Sequence, residues 1–377
     1  MLGLKKNIAL MIFMFVMLLC LVERSAFAAE KAEEVVKGGL GAITIYTTGG
    51  ATLTPPFSST VHKYKAYVNN DIDNIAINAI AANAEGEISI NGKKVASGKD
   101  QLEKLAVGKN RFKIVVAGED GILQEYLLII VREDISKVVA AFSEGSYTDA
   151  QTGTTMSYRL FKPEGYTPLK EYPMVVFLHG SGEYGTDNKA QILANQGATI
   201  WAKPEEQAKH PCLVLAPQAS HSWLDESSSG EDGKSSVSDL DMVPKLVERI
   251  TKLYHVDRNR IYATGVSDGG IAVWSLNEAN PDLFAAMVPV CGGGDKEQAY
   301  KLVNKPIWAF HGEADPVIPV NDSREMIAAL RSLGGTPLFT EYPRETYLYP
   351  MAHYSWVRAY QTQEMRDWLF RQVKVDG

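Results

Sequence analysis

A serine inside a glycine-framed turn is the first residue whose setting points to chemistry. Residues 265–269 read Gly-Val-Ser-Asp-Gly, which matches the pattern G-x-S-x-G. An apolar run at 260–264 precedes the motif and a helical stretch begins at Gly270. This strand–turn–helix setting is what a nucleophile elbow requires. Because a serine hydroxyl needs a base to take its proton, we interpret Ser267 as an activated nucleophile.

The base and the acid are sought after the serine, because in this arrangement the chain order is serine, acid, histidine. Only His311 and His353 follow Ser267. His353 lies in a loop just before the last predicted helix, where the base belongs. Asp315 follows a buried strand and is predicted to hold the imidazole in the required tautomer and to stabilise its charged form. The rival candidates for the acid are Asp295 and Glu313.

The tetrahedral intermediate of acyl transfer needs backbone N–H donors for its negative oxygen. One donor is predicted at Asp268, directly after the nucleophile. The second is expected in the loop His-Gly-Ser-Gly-Glu at 179–183, which follows the apolar run 173–178. Its glycines allow the backbone to approach a substrate closely. We favour the N–H of Ser181 in this role, with Gly180 as the alternative.

Substrate-binding side chains are predicted from their places after parallel strands. Ligands of open α/β sheets bind outside the carboxyl ends of the strands. Trp223 and Trp356 are therefore predicted to wall the pocket, although core packing is the alternative for each, and Glu183 of the glycine-rich loop is assigned to the same site. The sequence has no H-E-x-x-H or C-x-x-C motif, so neither a metal nor another cofactor is predicted.

The elements that must position these residues alternate from about residue 136 onward. Continuous apolar runs favour parallel strands buried on both faces, and their alternation with helical stretches predicts an α/β domain. The predicted strands are 173–178, 212–216, 260–264, 284–290 and 307–310. The predicted helices are 239–254, 271–280, 322–333 and 361–372. We expect a mostly parallel sheet with helices on both faces over residues 135–377.

The segment before this domain alternates apolar and polar residues at period two, which is typical of half-buried strands. Asn91-Gly92 and Asp120-Gly121 are hairpin signals within it. Residues 30–134 are therefore predicted to form a small all-β sandwich. The predicted strands are 42–46, 62–68, 87–90, 110–116 and 126–131.

Residues 1–28 are interpreted as a signal peptide, cleaved after Ala28, so the protein is expected to be secreted. Two cysteines remain after cleavage, Cys212 and Cys291. They begin one parallel strand and end another, at opposite ends of a sheet, so free thiols are predicted. The polar stretch 227–238 is expected to be a surface loop. The formal net charge of −7, without strong blocks of like charge, argues against a nucleic-acid partner.

Two resemblances extend these expectations. About a hundred N-terminal residues resemble the bacterial cadherin-like or Ig-like sandwich repeat, through 53–57, Tyr64, the hairpin 88–92, 108–110 and the strand 126–132. Residues 140–375 resemble bacterial α/β-hydrolase esterases related to polyhydroxyalkanoate-depolymerase-type and feruloyl-type enzymes, a group often labelled predicted peptidases. The matching segments are 179–183, 216–218, 265–270 and 311–315, with His353 and Trp356. The two-domain layout resembles that of secreted esterases of thermophilic bacteria.

The hydrolase resemblance implies hydrolysis of short or aromatic acyl esters without a metal. Asp268 departs from the family pattern, which often has Met or Gln there, and adds a negative charge to the site. We expect a serine carboxylesterase that forms an acyl-enzyme. The alternatives are a feruloyl or acetyl esterase acting on plant polysaccharide and a serine peptidase.

The expected partners are a small-molecule or polysaccharide-linked ester, with no nucleic acid and, after signal cleavage, no membrane. A packing or homo-oligomerising role for the sandwich is favoured over carbohydrate binding. The reason is that Tyr64 and Tyr67 fall on opposite faces of one strand.

Overall fold

The computed structural model describes residues 38–83, 86–118, 121–225 and 238–374. The predicted signal peptide and residues 227–237 of the predicted surface loop lie outside these ranges and stay predictions, as does Asp120 of the second hairpin signal. None of the described helices has both the length and the apolar character needed to cross a membrane.

The N-terminal domain is a sandwich of two sheets. One sheet has the strand order β1-β3-β6 and the other β2-β8-β7-β4-β5. The described strands are β1 Leu40–Tyr46, β2 Lys63–Val68, β3 Asn74–Ala81, β4 Glu87–Ile90, β5 Lys93–Val95, β6 Asp100–Lys104, β7 Gly108–Ala117 and β8 Leu123–Arg132. The predicted alternation decides which side chains enter the core: Tyr64 is buried, whereas Tyr67 is 61% exposed. Strands β3, β5 and β6 were not predicted.

The second domain is built on one eight-stranded sheet with the order β16-β15-β14-β13-β11-β12-β10-β9. Strands β11 to β16 are mutually parallel where they pair, and β10 joins β12 and β9 antiparallel. The strands are β9 Ser143–Thr148, β10 Thr155–Phe161, β11 Tyr172–Leu178, β12 Leu213–Gln218, β13 Val256–Val266, β14 Ala286–Val290, β15 Trp308–Gly312 and β16 Leu338–Tyr342. The edge strands β9 and β16 were not predicted, and neither was β10, which lies next to β9.

Helices cover both faces of this sheet, and one buried apolar cluster lies on each side. The α-helices are α1 Ser136–Ala140, α2 Ala190–Leu193, α3 Pro204–Lys209, α4 Asp239–Leu253, α5 Asp268–Ala279, α6 Val320–Ser332, α7 Trp356–Gln361 and α8 Gln363–Phe370. The described part of this domain also contains four 3₁₀ turns, at Ser181–Glu183, Thr199–Ala202, Lys296–Leu302 and Ala352–Ser355.

The last predicted helix, 361–372, was wrong in its bounds. The structure has two short helices that meet at Thr362, which has the extended angles φ −67° and ψ 101°. Helix α7 begins earlier than predicted, because Trp356 and Val357 pack as helical residues on the apolar clusters. The segment that carries His353 is therefore a 3₁₀ turn leading directly into α7.

The two domains meet at this same segment. The hydroxyl of Thr48 donates to the carbonyl of Tyr349 at 2.8 Å and accepts from its N–H at 2.6 Å. Val357 belongs to the buried cluster of the sandwich rather than to that of its own domain. His353 thus lies between two points at which the sandwich holds the hydrolase chain.

Candidate active site

The turn at Ser267 connects β13 to α5 and has the strained geometry of an elbow. Ser267 has φ 57° and ψ −123°, a region that costs a non-glycine residue about 1–3 kcal/mol. The flanking glycines make the turn sterically feasible. A Cβ on Gly269 would lie 2.1 Å from the carbonyl oxygen of Leu178, and one on Gly265 would lie 2.3 Å from that of Gly269. Any side chain at either position would force the strand and helix apart.

Three side chains from three separate parts of the chain meet at this turn. The hydroxyl of Ser267 is 2.8 Å from His353 Nε2, and His353 Nδ1 is 2.8 Å from Asp315 Oδ2. Asp315 follows β15, and His353 lies in the 3₁₀ turn before α7. All three side chains are buried or nearly so. The structure therefore brings together the serine, base and acid predicted from the sequence, in hydrogen-bonding order.

The carboxylate of Asp315 is surrounded by donors. Its Oδ1 accepts from the N–H groups of Val317 at 2.8 Å and Ile318 at 3.1 Å. Its Oδ2 faces His353 and, at 3.2 Å, Nε2 of His311. Burial opposes ionisation, but the hydrogen bonds from His311 and His353 outweigh it and hold the pKa of Asp315 well below its ordinary value. Asp315 is therefore held as a negative charge beside His353.

The two rival acids lie elsewhere. Asp295 accepts from the N–H of Glu297 and caps the 3₁₀ turn that follows β14. Glu313 accepts from the N–H of Arg344 at 3.0 Å. Each carboxylate is therefore engaged by local backbone rather than by the imidazole.

The loop after β11 is held rigidly beside the nucleophile. His179 Nε2 accepts from the N–H of Ala219 at 2.9 Å, so its proton lies on Nδ1, which donates to the carbonyl of Gly180 at 2.8 Å. The indole of Trp223 donates to the carbonyl of His179 at 2.8 Å. Burial lowers the pKa of His179 to about 4, which keeps this ring neutral. These bonds fix where the loop points its backbone N–H groups.

The predicted oxyanion donors fit this arrangement. Within the described residues, the N–H groups of Asp268 and Ser181 donate to no protein acceptor. Asp268 is the first residue of α5, where N–H groups have no partner in the helix. A Cβ built on Gly180 would be 3.3 Å from Cβ of Ser267. The loop backbone therefore approaches the nucleophile closely enough to offer a second donor.

The extra charge of Asp268 is held by three donors. Its carboxylate accepts from the hydroxyl of Tyr184 at 2.6 Å, the hydroxyl of Ser222 at 3.3 Å and the N–H of Trp223 at 3.2 Å. Burial and the hydrogen bond to Asp268 raise the pKa of Tyr184, so its phenol remains protonated and can donate. Tyr184 and Ser222 were missed by the sequence reasoning. Only the position of Tyr184, next to the glycine-rich loop, was a signal for it.

Glu183 is placed differently from its predicted role in substrate binding. It is 9% exposed, and its Oε1 accepts from the amide of Asn195 at 3.4 Å. Its Oε2 has no hydrogen-bond partner among the described residues and would lie 3.3 Å from a Cβ on Gly180. Burial raises the pKa of Glu183 to about 7 against the lowering effect of the Asn195 bond. Glu183 therefore packs inside the loop rather than on a pocket wall.

The two tryptophans differ as well. Trp223 is fully buried in the cluster on one face of the sheet, so the prediction that it walls the pocket was wrong. Its hydrogen bond to the loop requires the indole to point inward. Trp356 is only partly buried and meets the ring of His353 edge to face, with centroids 5.3 Å apart. It remains suited to line a substrate site beside the base.

The thiols of Cys212 and Cys291 are buried and form no disulfide. Cys291 directly follows β14, and its sulfur lies 3.3 Å from the backbone nitrogen of Ser267. Burial raises the pKa of both thiols, that of Cys212 to about 12. The thiol of Cys291 is thus a neutral group that packs under the elbow.

Two clusters of side chains have a geometry that a cation would need. One consists of Cys291, Asp315 and His353. The other is Glu206, His210 and Asp367, whose ligand atoms lie within 4.8 Å of one another. In this second cluster His210 is 2.8 Å from Asp367, and Arg366 donates to Glu206 at 2.8 Å. Existing hydrogen bonds and an ion pair account for the arrangement.

Comparison with known proteins agrees with the fold. Residues 42–133 match the family of cadherin-like beta sandwich domains. A crystal structure of a thermostable esterase is 35% identical, with a TM-score of 0.59, and the match covers 72% of this chain and 74% of that chain. Feruloyl esterase C of Emericella nidulans is 26% identical over 172 residues, which is 44% of this chain and 56% of that protein. The chain spans about half the length of the curated relatives it matches.

The family to which the chain belongs is shown by its second domain. Residues 167–365, more than half of the chain, match the phospholipase/carboxylesterase family. The predicted α/β-hydrolase fold and the preceding sandwich are both confirmed. This chain therefore belongs to the phospholipase/carboxylesterase family and carries an N-terminal cadherin-like β-sandwich domain.

Proposed function

We propose that the protein is a serine carboxylesterase that works through an acyl-enzyme intermediate. The observation that carries the proposal is the continuous hydrogen-bond relay from the Ser267 hydroxyl through His353 to Asp315, with both steps at 2.8 Å. This is the geometry in which a base within reach activates a serine and is itself oriented by an acid.

The relay supports a two-step reaction. Nε2 of His353 takes the proton of Ser267 as Oγ attacks the ester carbonyl, and the N–H groups of Asp268 and Ser181 stabilise the negative oxygen. The imidazolium then protonates the leaving alkoxide, which departs as the alcohol. Water, deprotonated by the same imidazole, releases the acid and restores the serine. Asp315 stabilises the imidazolium in both steps without taking its proton.

Short or aromatic acyl esters are the proposed substrates. The partly exposed ring of Trp356, placed edge to face on the base, supports recognition of a planar or small apolar group. The relative named feruloyl esterase supports an aromatic acyl group. A feruloyl or acetyl esterase acting on polysaccharide is the narrower form of the same proposal, and a serine peptidase is the alternative with a different leaving group.

A substrate panel tests this proposal. We expect kcat/KM of the full chain on p-nitrophenyl acetate, p-nitrophenyl butyrate or methyl ferulate to exceed that on a peptide amide by at least about 10³, because alkoxides leave more readily than amines. Hydrolysis of p-nitrophenyl octanoate measures the chain-length limit. A peptide amide cleaved faster than every ester would contradict the proposal.

We also propose that the sandwich does no chemistry and instead holds the segment that carries His353. The paired hydrogen bonds between Thr48 and Tyr349 support this role, since one hydroxyl fixes both polar groups of a backbone unit close to the base. Thr48 is 1% exposed. Without its hydroxyl the N–H and carbonyl of the partly buried Tyr349 would lose this shared partner.

The test is Thr48→Val, which keeps the shape and removes the hydroxyl. We expect kcat to fall by roughly tenfold, because even small misplacement of a catalytic group is costly. Thr48→Ser should retain most activity. The matched control is Thr44→Val, the same change at an exposed position of β1. If Thr48→Val matches the control in kcat, the sandwich does not position the base through this contact.

A further inference from the structure

His311 is a buried histidine that the proposed reaction does not use. It lies in β15, its side chain is fully buried, and it comes four residues before Asp315 in the sequence. Its Nε2 faces two oxygens, the carbonyl of Ile318 at 3.0 Å and Oδ2 of Asp315 at 3.2 Å. Neither a carbonyl nor an ionised carboxylate can donate a hydrogen bond. Nε2 of His311 therefore carries a proton.

The other ring nitrogen is constrained by a serine. Nδ1 of His311 is 2.8 Å from the hydroxyl of Ser323, which itself donates to the carbonyl of Gly292 at 2.6 Å. A hydroxyl has one proton. Since that proton is directed to Gly292, the oxygen of Ser323 must accept from Nδ1. The network thus places a proton on both nitrogens of His311, as in an imidazolium.

The carboxylate of Asp315 consequently lies between two imidazoles. Its Oδ2 lies 2.8 Å from Nδ1 of His353 on one side and 3.2 Å from Nε2 of His311 on the other. The thiol of Cys291, within 4.8 Å of the ligand atoms of Asp315 and His353, is a further titratable group here, and burial raises its pKa. The positive ring of His311 withdraws negative charge from the oxygen that would stabilise protonated His353.

We propose that His311 is a positioning residue that holds Asp315 with a second, charged hydrogen bond and thereby lets His353 act as a base at lower pH than Asp315 alone would allow. This proposal rests on the proposed function. The sign follows from electrostatics: a less negative Asp315 stabilises the imidazolium of His353 less, so its proton leaves at lower pH. Removing His311 then moves the ascending limb of activity to higher pH.

The experiment compares pH profiles of kcat/KM on p-nitrophenyl acetate for the full chain and its variants. For His311→Leu we expect the ascending limb to move to higher pH by about 0.5–1 unit, together with a lower plateau. His311→Gln, which can still donate to Asp315, should recover part of the plateau and still show a shifted limb. A lowered plateau with an unmoved limb in both variants would indicate a merely structural residue and overturn the proposal.

Ser323→Ala provides a second variant if His311→Leu fails to fold. Loss of the acceptor for Nδ1 should shift the limb in the same direction, whereas Ser332→Ala, on the exposed side of the same helix, should not. Nitrogen NMR of histidine-labelled Ser267→Ala protein gives a readout independent of activity, with His311 assigned by its loss in a His311→Gln background. Two ring N–H protons on His311 at pH 7 support the proposal, and one overturns it. Wild-type protein inactive on all esters would contradict the proposed function instead, whatever the NMR result.

Discussion

Ser267→Ala is expected to lower kcat/KM on p-nitrophenyl butyrate by about 10⁴- to 10⁶-fold. The relay from His353 ends on this hydroxyl at 2.8 Å, and alanine leaves the imidazole with nothing to activate except water. The fold should survive, because alanine preserves the backbone of the elbow and adds no atom to a site crowded against Leu178 and Val290. The thermal midpoint should therefore change by only a few degrees.

Two measurements make this result specific. A fluorophosphonate should label wild-type protein at Ser267, as located by mass spectrometry of the digested chain, and should not label the variant. Ser332→Ala, the same change at an exposed position of α6, should retain full activity. If Ser267→Ala keeps activity within tenfold of the wild type, the nucleophile has been assigned to the wrong residue.

Asp315→Asn is expected to cost about 10⁴ in kcat, because an amide in this place favours the wrong imidazole tautomer. His353→Ala should be as damaging as the loss of the serine. The double variant of Ser267 and His353 should be hardly worse than either single variant, since these residues act as one unit. If the double variant lost activity by the product of the two single-variant factors, the two residues would act independently, which would contradict the relay seen in the structure.

Asp295→Asn is the matched control for the acid. Asp295 follows the neighbouring strand β14 and makes an equally local hydrogen bond, but to the backbone of Glu297. We expect this variant to lose less than about threefold in kcat, and its free energy of unfolding should fall by no more than the contribution of a helix cap, about 1 kcal/mol. If Asp295→Asn impairs kcat more than Asp315→Asn does, the acid follows β14 and not β15.

Local sequence was sufficient for the parts of the site that depend on backbone geometry. The elbow needs a serine at positive φ between two glycines, because a Cβ on Gly265 or Gly269 would lie closer than 2.5 Å to a main-chain oxygen. These requirements operate within a few residues, so the motif and its flanking strand and helix specify them. The chain order of acid and histidine then selected Asp315 and His353, because parallel strands bring their carboxyl ends to one edge of the sheet.

The edge strands and the last helices were harder for the sequence to specify. β6 and β16 are short and half exposed, so they lack the continuous apolar run that marks β11. Helix α7 packs on the sandwich cluster through Val357 and, through Ala359 and Tyr360, on the same hydrolase cluster as α8, and the break at Thr362 separates the two helices. The periodicity of apolar residues indicates which face of a helix is buried, but it does not indicate which domain's core that face packs against.

Only the tertiary structure decided the roles of side chains whose partners are distant in sequence. Trp223 reads equally well as a pocket wall or as a core residue, and it is buried because its indole meets the carbonyl of His179. The charge of Asp268 is held by Tyr184, and Thr48 reaches Tyr349 across the domain boundary. The sequence by itself was sufficient to predict the serine at the elbow and the sandwich followed by an α/β domain, because those follow from local backbone constraints and strand–helix alternation. The directions of the supporting side chains depend on long-range packing, which no local pattern encodes.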